Sequence, residues 1–478
     1  MNITAKNKTA IGPRVRDLVA AQVYPRYAKC KAALFSRRAK IQSACLEGLR
    51  FRMQSGSWSE QQKVDWILDR VRFVVRRAYL DTAYYRERLD RLGFDPFADF
   101  EFRDFVSLPV LEKDDILAAG PRLISKSIPA GRLRKDATGG STGAPVHIWL
   151  GPEERGWRQS ASEWAFGRLG LPPGSRTAYF WGHNLDPRGK GSIKDRAYFY
   201  LNNTEWFDCF RLEPRVLEEY HQRLASFRPA CMIAYATALG ALSDYILERR
   251  YRPDYPTRFI LTGAEKLSEQ HRQWAESAFG CPIIERYGAR DVGLIGLQSN
   301  RQQSSNVFEI DWANVLIEPE SDRRDAPILI TKLHADGMPM IRYRIGDVGR
   351  FSSNAAPGHP SFFLDEVVGR ELEKIWLPDG GWVQGTVVPH LLKDYPVREY
   401  QLVQDKDYSV ELQIVPRSGF AERHKLEIVR LLSSNLRGIK VSAVLVDRVP
   451  RTEASKLRPV VSHVVVRHAV VRHAVVSM

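Results

Sequence analysis

The stretch TGGSTGAPVHIWL, residues 138–150, joins a glycine-rich loop to a short segment of β-strand character. Glycines let the main chain of this loop turn sharply and present its N–H groups, and Ser141 and Thr142 add hydroxyl donors for anionic oxygens. The preceding segment, GRLRKDA, is charged and turn-like, and no lysine follows Gly143, so the stretch lacks the Walker pattern. These residues predict either a phosphate-binding loop or a Gly/Ser/Thr-rich hairpin that holds no ligand.

Strand-like and helix-like segments alternate between this loop and about residue 263. The strand-like segments TAYFWG and ACMIAYAT alternate with the helix-like segments EPRVLEEYHQRLASF and ATALGALSDYILERR. This alternation favours a layered α/β sheet. RFILTGAE and PIIERYG are further strands that end in glycine turns, which favours a ligand site at their carboxyl ends.

The length and the change of character near Gly369 predict two domains. A chain of 478 residues is too long for one hydrophobic core. We predict an α/β fold with a large domain, residues 1–369, which contains a helical lead over about residues 1–100 and a β-rich part near residues 307–363. A small mobile α+β domain, residues 370–478, follows. For its tail, residues 463–478, with the repeat VVRHAVVRHAVV, an edge strand, a partner-binding segment and a disordered end all stay open.

Composition restricts the class of protein. The chain has no apolar run of about 18 residues and no apolar region at its start, so we expect no membrane span, no secretory signal and a cytoplasmic location. Its five cysteines lack CxxC spacing, which argues against a disulfide framework and a zinc site. The net charge of +15 accompanies no nucleic-acid-binding motif, so a solvated basic helical face is favoured over a specific nucleic-acid partner.

Further motifs follow the glycine loop in a fixed order. They are TGAE at 262–265, YGARDVG at 287–293, MIRYRIGD at 340–347, GRELEK at 369–374, and Lys456 in RTEASKLRPV. The series resembles the adenylate-forming superfamily of acyl-CoA synthetases and adenylation domains. AYYRERL, SLPVLEKDDI, the form RYRIGD and the segment AYATALGALSDYI after FRP make it resemble most the phenylacetate–CoA ligase and capsular polysaccharide CapK branch. The resemblance covers roughly residues 60–462.

The resemblance implies that a carboxylate attacks the α-phosphate of ATP to form an acyl-adenylate, a step limited by charge and alignment. It places an adenine-stacking ring at Tyr287, a ribose-binding carboxylate at Asp347 and the Mg²⁺-binding carboxylate at Asp291. Lys456 would bridge the charge between the incoming carboxylate and the α-phosphate.

The resemblance also implies roles for residues around these. The loop that closes over the β- and γ-phosphates would consist of Thr138, Gly139, Gly140, Ser141, Thr142 and Gly143. The adenine and acyl pockets would be lined by Gly263, Ala264, Glu265 and Gly288, with weaker assignments to His183, Tyr235 and Ala289. Arg370 would contact ribose or phosphate from the hinge.

Several positions depart from the family pattern. Val146 stands where a lysine often follows the loop, and Asp291 is one methylene shorter than the usual glutamate. Arg290 replaces a threonine, and it would either contact the α-phosphate or pair with Asp291. Leu372 stands at the hinge position, and Ala454-Ser455 replaces the usual small-Gly pair. These changes are compatible with adenylation and affect the prediction of the second half-reaction, the transfer of the acyl group, more strongly.

Each assignment has a plain alternative. The alternatives are that Asp291 and Asp347 are ordinary turn or surface acids, Tyr287 a core aromatic, His183 a structural or pocket-lining residue and Lys456 a solvated lysine.

The function predicted is that of an ATP- and Mg²⁺-dependent ligase that passes an aryl or other hydrophobic acyl group to coenzyme A. A close alternative is an amide-forming ligase, in which an amino acid or amino sugar attacks the adenylate in a secondary-metabolite or polysaccharide pathway. A non-catalytic scaffold that keeps the fold is a further alternative. The partners expected are the acid and a thiol or amine acceptor, with a homodimer left open.

Overall fold

The computed structural model describes residues 39–137, 146–172, 174–182, 199, 203–209, 211–299, 307–370, 374–379, 382–385, 387–392, 395–450 and 457–464. Internal contacts divide the chain between Val368 and Gly369 into a large and a small unit. Among the helices of the described ranges, none is both long and apolar enough to cross a membrane.

The large unit contains nine helices and fourteen strands within its described residues. The helices are α1 Ala39–Gln54, α2 Glu60–Asp81, α3 Ala83–Leu92, α4 Phe102–Phe105, α5 Lys113–Ala119, α6 Pro152–Arg168, α7 Pro214–Phe227, α8 Ala236–Glu248 and α9 Glu269–Phe279. The strands are β1 Arg134–Ala137, β2 His147–Leu150, β3 Thr177–Trp181, β4 Thr204–Asp208, β5 Cys231–Tyr235, β6 Phe259–Gly263, β7 Ile283–Ala289, β8 Gly293–Gln298, β9 Phe308–Ile310, β10 Val315–Pro319, β11 Asp325–Lys332, β12 Tyr343–Arg350, β13 Phe363–Leu364 and β14 Glu366–Arg370.

The helices at the start of the described chain follow the predicted apolar spacing. α2 begins at a capping box, in which the Gln62 N–H donates to the Ser59 hydroxyl and the Ser59 N–H donates to the Gln62 side chain. Its buried residues recur every three or four positions, and all but Leu68 belong to the main core of the large unit: Ile67, Leu68, Val71, Val74, Val75 and Ala78.

The main sheet has eight strands in the order β13-β9-β8-β7-β6-β5-β3-β4. β4, β3, β5, β6 and β7 run parallel, whereas β8, β9 and β13 pair antiparallel. β5 and β6 are buried along their whole length, as expected of parallel strands covered on both faces. Because β5, β6 and β7 run in one direction, their carboxyl ends lie at the same edge of the sheet, where ligand sites form.

A second sheet of the large unit has the order β10-β11-β12-β14. Its core holds the ion pair of Arg342 and Glu318, in which the Arg342 Nε donates to Glu318 Oε1 at 3.0 Å. Arg342 also donates to the carbonyls of Val106 and Leu108. A buried charge requires such hydrogen-bond partners. These bonds connect Arg342, directly before β12, to the loop before α5.

β1 and β2 form an antiparallel pair with Ala137 opposite His147. The glycine loop, residues 138–145, connects these two strands and lies outside the described residues. β1 corrects the turn-like interpretation of GRLRKDA, because pairing with β2 makes the charged segment Arg134–Ala137 extended.

The small unit is a compact α+β structure, as the sequence predicted. Its described elements are β15 Lys374–Trp376, β16 Trp382–Gln384, α10 Val387–Leu392, β17 Val397–Gln404, β18 Val410–Pro416, α11 Glu422–Asn435, β19 Val441–Leu445 and β20 Val460–Ser462. A four-stranded sheet of order β19-β18-β17-β20 packs with α11 through the buried side chains of Ile428 and Leu432. Lys456 lies outside the described residues, and the mobility of this unit stays a prediction.

Candidate active site

Two tyrosine–aspartate hydrogen bonds join the end of β7 to the start of β12. The Tyr287 hydroxyl donates to Asp347 Oδ2 at 2.9 Å, and the Tyr343 hydroxyl donates to Asp291 Oδ2 at 3.0 Å. The bonds cross between two segments of the same form, YGARD at 287–291 and YRIGD at 343–347. Asp291 is 5% exposed and Asp347 is 8% exposed, so both carboxylates are held in a largely desolvated place. The structure therefore brings together three predicted residues, Tyr287, Asp291 and Asp347.

The turn after β7 depends on a close approach of two main chains. A Cβ atom on Gly288 would lie 2.6 Å from the Gly293 carbonyl oxygen, which is closer than a side chain tolerates. Gly293 itself has φ +101°, a conformation that favours glycine. The tight turn returns the chain from β7 into β8 and places Asp291 beside the end of β7.

A buried charge network lies beneath this turn. Lys332 Nζ donates to Glu154 Oε1 at 2.9 Å, and their side chains are 3% and 4% exposed. Arg158, on the same helix as Glu154, donates to Glu154 Oε1 at 2.5 Å and to the main-chain carbonyls of Arg290 and Asp291. Burial lowers the pKa of Lys332, while Glu154 opposes that shift. The network connects the start of α6 to the turn that carries Asp291.

Arg290 points from the same turn towards β1. Its Nη1 donates to the Ala137 carbonyl at 3.2 Å and lies 4.0 Å from Asp136 Oδ1. Its ion-pair partner within the described residues is thus Asp136 rather than Asp291. This contact ties the turn to Ala137, the last described residue before the glycine loop.

The ends of β5 and β6 form an aromatic part of the site. Tyr235 is buried at the end of β5, and its ring meets Trp181 edge-on with centroids 4.6 Å apart. A Cβ atom on Gly263 would lie 4.0 Å from Trp181, so the absence of a side chain keeps space beside this ring. Burial raises the pKa of the Tyr235 phenol, which therefore stays protonated at neutral pH.

The turn after β6 is fixed by an acid. Ala264 has φ +67°, a strained value for a residue with a side chain. Glu265 Oε2 accepts hydrogen bonds from the Thr237 main-chain N–H at 3.1 Å and from its hydroxyl at 2.7 Å. An anion at the first turn of α8 also suits the helix dipole. Glu265 thus holds the Gly263-Ala264 turn against α8.

The remaining predicted residues have the following places. Ala289 is partly buried at the end of β7, in the same turn as Arg290 and Asp291, and Arg370 is the last residue of β14. Val146 is buried in the core with 1% exposure. The predictions for Lys456, His183 and the loop residues Thr138, Gly139, Gly140, Ser141, Thr142 and Gly143 fall outside the described residues.

Sequence reasoning missed Tyr343, Trp181, Arg158 and Lys332. Tyr343 had a usable signal: it stands four residues before Asp347 in YRIGD, as Tyr287 stands four residues before Asp291 in YGARD. Trp181 had a signal in the position of FWG at a strand end. Lys332 had none, because its partner Glu154 is distant in sequence. The spacing of four residues between Glu154 and Arg158 on one helix is visible in the sequence, but the carbonyl partners of Arg158 in the turn after β7 are not.

Asp291 suits a metal ion that binds phosphate oxygens as well as the protein. Within the described ranges, no three His, Cys, Asp or Glu side chains form a group that could hold a metal ion. Mg²⁺ in nucleotide sites takes one or two carboxylates and completes its shell with phosphate oxygens and water. The single buried carboxylate of Asp291 fits that kind of site and not a cage made by protein alone.

Comparison with known proteins gives distant relatives. No family model matches the chain. Protein CapK of Staphylococcus aureus is 20% identical over 370 residues, covering 75% of this chain and 80% of that protein. A phenylacetate-coenzyme A ligase of Thermus thermophilus is 21% identical over 428 residues, covering 82% of this chain and 94% of that protein.

A solved structure shares the fold. A 2-hydroxyisobutyryl-CoA ligase, crystallised in the postadenylation state with R3-HIB-AMP, superposes with a TM-score of 0.66 at 17% identity. The match covers 85% of this chain and 90% of that one. These findings confirm the predicted α/β fold and the resemblance that the motif series indicated.

Proposed function

We propose that this chain, which by sequence and fold resembles the adenylate-forming superfamily in its phenylacetate–CoA ligase and CapK branch, is an AMP-forming acid ligase. It activates a carboxylic acid with ATP and passes the acyl group to coenzyme A. The observation that carries this proposal is the crossed pair of hydrogen bonds, Tyr287 to Asp347 and Tyr343 to Asp291. They hold the acid proposed to bind ribose, on β12, and the acid proposed to bind the metal, in the turn after β7, against tyrosines of the opposite segment.

Tyr287 and Asp347 would bind the nucleoside. The Tyr287 hydroxyl is engaged by Asp347, so the ring is fixed in orientation and can stack on adenine. A carboxylate accepts two hydroxyl donors well, and such charge-assisted hydrogen bonds are about twice as strong as neutral ones. Asp347 is therefore suited to the vicinal hydroxyls of ribose.

Asp291 would hold Mg²⁺, which supplies charge neutralisation on the phosphate oxygens when bound. The chain's part is to keep this carboxylate oriented, which Tyr343 supports with its hydrogen bond of 3.0 Å. The shorter side chain of aspartate is compatible with this task because the turn itself lies close to the end of β7.

The glycine loop, residues 138–143, would enclose the β- and γ-phosphates. Its position is supported by Arg290, whose guanidinium donates to the Ala137 carbonyl immediately before the loop. Arg290 would add positive charge near the α-phosphate. In the adenylation step Lys456 would bridge the acid and the α-phosphate, and Arg370 would contact ribose or phosphate.

The acid would bind beside Trp181 and Tyr235. Trp181 and Tyr235 supply aromatic surface, and Gly263 places no side chain beside Trp181, a combination that suits an aryl or other hydrophobic acid. His183 and Ala289 stay candidates for lining the same space. Since ATP, Mg²⁺ and coenzyme A are cytoplasmic metabolites, we place the reaction in the cytoplasm.

Coenzyme A is the proposed acceptor because the relatives include phenylacetate-coenzyme A ligases. The test incubates the protein with ATP, Mg²⁺, hydroxylamine and a panel of aryl and aliphatic acids. Hydroxamate and AMP are expected for at least one acid, whereas their absence across the panel would overturn the proposal. The product mass with coenzyme A or with amines then decides the acceptor, and an amide product with no thioester would replace coenzyme A by an amine.

A further inference from the structure

We propose that Arg158 is a positioning residue that holds the Asp291 turn in the geometry needed for Mg²⁺-ATP. The role in binding Mg²⁺-ATP rests on the proposed function. The hydrogen bonds of Arg158 do not depend on that function, because they are contacts within the protein. The contacts come from α6, which begins directly after the β1–β2 pair and contributes none of the predicted nucleotide-binding residues.

Arg158 holds the turn through its main chain. Its Nη1 donates to the Arg290 carbonyl at 2.9 Å, and its Nη2 donates to the Asp291 carbonyl. A planar guanidinium that binds two successive carbonyls fixes the orientation of the peptide between them. The peptide in question joins the residue predicted near the α-phosphate to the residue predicted to hold the metal.

The Arg158 guanidinium is itself held by Glu154. Arg158 Nη2 donates to Glu154 Oε1 at 2.5 Å, and the same oxygen accepts from Lys332 Nζ at 2.9 Å. Glu154 lies at the start of α6, where the Asp336 carboxylate accepts its main-chain N–H at 3.1 Å. The contacts that lead from the start of α6 to Arg158 are buried at Glu154 and Lys332 and partly buried at Arg158, and hydrogen-bonded networks of this kind restrict geometry.

The turn fits the stem of Arg158 as well as its head group. A Cβ atom on Gly293 would lie 3.1 Å from Arg158 Cγ, so the stem packs against the main chain where the turn enters β8. Tyr343 holds the Asp291 carboxylate from the opposite segment. Main chain and carboxylate of Asp291 are thus held by two different elements.

The distinguishing test measures ATP affinity by calorimetry with and without Mg²⁺. The variant is Arg158→Met, which keeps the stem and removes the guanidinium. We expect the affinity for ATP without Mg²⁺ to change less than about 2-fold, and the gain on adding Mg²⁺ to fall by about 10-fold or more. Arg158→Lys should recover part of this gain. Equal losses with and without Mg²⁺ would indicate a merely structural role and overturn the proposal.

Arg168→Met is the matched control, because Arg168 lies on the same helix and pairs with Glu309 at the surface. It should keep the wild-type response to Mg²⁺. A second readout needs no ligand: amide hydrogen exchange in residues 288–293 should be faster in Arg158→Met than in the wild type and in Arg168→Met. Unchanged hydrogen exchange in Arg158→Met would overturn the proposal, even if the wild-type enzyme is active. Faster exchange in Arg158→Met together with no ATP binding by the wild type would show that Arg158 holds the turn but that the proposed function is wrong.

Discussion

Tyr287 and Asp347 are joined by a hydrogen bond of 2.9 Å from the phenol to the carboxylate, although 60 residues separate them in sequence. Tyr287 lies on β7 of the eight-stranded sheet, and Asp347 lies on β12 of the other sheet. The bond therefore connects two sheets at the place where ATP is proposed to bind. Nucleoside recognition consequently depends on how these sheets meet.

Replacing Tyr287 with Phe tests this connection, since the ring for stacking stays and the hydroxyl is lost. A hydrogen bond to a charged group contributes about 1.5–3 kcal/mol, so the KM for ATP should rise about 10-fold or more. The preference for ATP over 2′-deoxy-ATP should also shrink, because Asp347 loses its orientation. Both are measured from initial rates of hydroxamate formation.

Tyr251→Phe is the control, because the Tyr251 hydroxyl also donates to a carboxylate, that of Glu218 on α7, at 2.9 Å. It should leave both quantities unchanged. An unaltered KM and an unaltered nucleotide preference in Tyr287→Phe would contradict the role of this pair.

Replacing Val146 with lysine, the residue expected there from the resemblance to adenylate-forming enzymes, should destabilise the protein. Val146 is 1% exposed and belongs to the hydrophobic core of the large unit. An ammonium group placed there loses its hydration, at a cost of about 3 kcal/mol or more relative to an apolar residue of similar length. Urea unfolding of Val146→Lys and Val146→Met measures the difference, and equal stabilities would show that this position is open to solvent.

The stability of the large unit should fall as the pH is lowered, because His334 is buried uncharged. Burial lowers the pKa of His334 to about 4. Arg70 donates to its Nδ1, and its ring stacks on Trp157 with centroids 3.6 Å apart. The unfolded chain, with a pKa of about 6.5, binds a proton that the folded chain does not, so this contribution is present above about pH 6.5 and is lost towards pH 4.

Between pH 7 and pH 5 the loss attributable to His334 should be about 2 kcal/mol. It is obtained from urea unfolding at both values for the wild type and for His334→Gln, which keeps a polar side chain. The wild type should lose more stability than the variant over this interval. Parallel losses would mean that His334 titrates alike in the folded and unfolded chain.

The fold was largely accessible from sequence, because buried parallel strands such as β5 and β6 are short apolar runs separated by amphipathic helices. The neighbourhood of Tyr287, Asp291 and Asp347 followed from the motifs. The crossed partners did not, since nothing local indicates that Tyr343 donates to Asp291. The role of Arg158 could not be predicted, because its acceptors are main-chain carbonyls more than a hundred residues later in the chain. Every residue type has a main-chain carbonyl, so the sequence does not indicate which ones accept a hydrogen bond.

Activation of an acid through an adenylate is tested by isotope exchange between pyrophosphate and ATP. We expect exchange that requires a carboxylic acid and falls by about 100-fold or more in Lys456→Ala. Lys440→Ala, which removes an exposed lysine of the same small unit, should exchange at the wild-type rate. No exchange with any acid in the panel, or equal exchange in Lys456→Ala and the wild type, would show that the protein does not activate acids in this way.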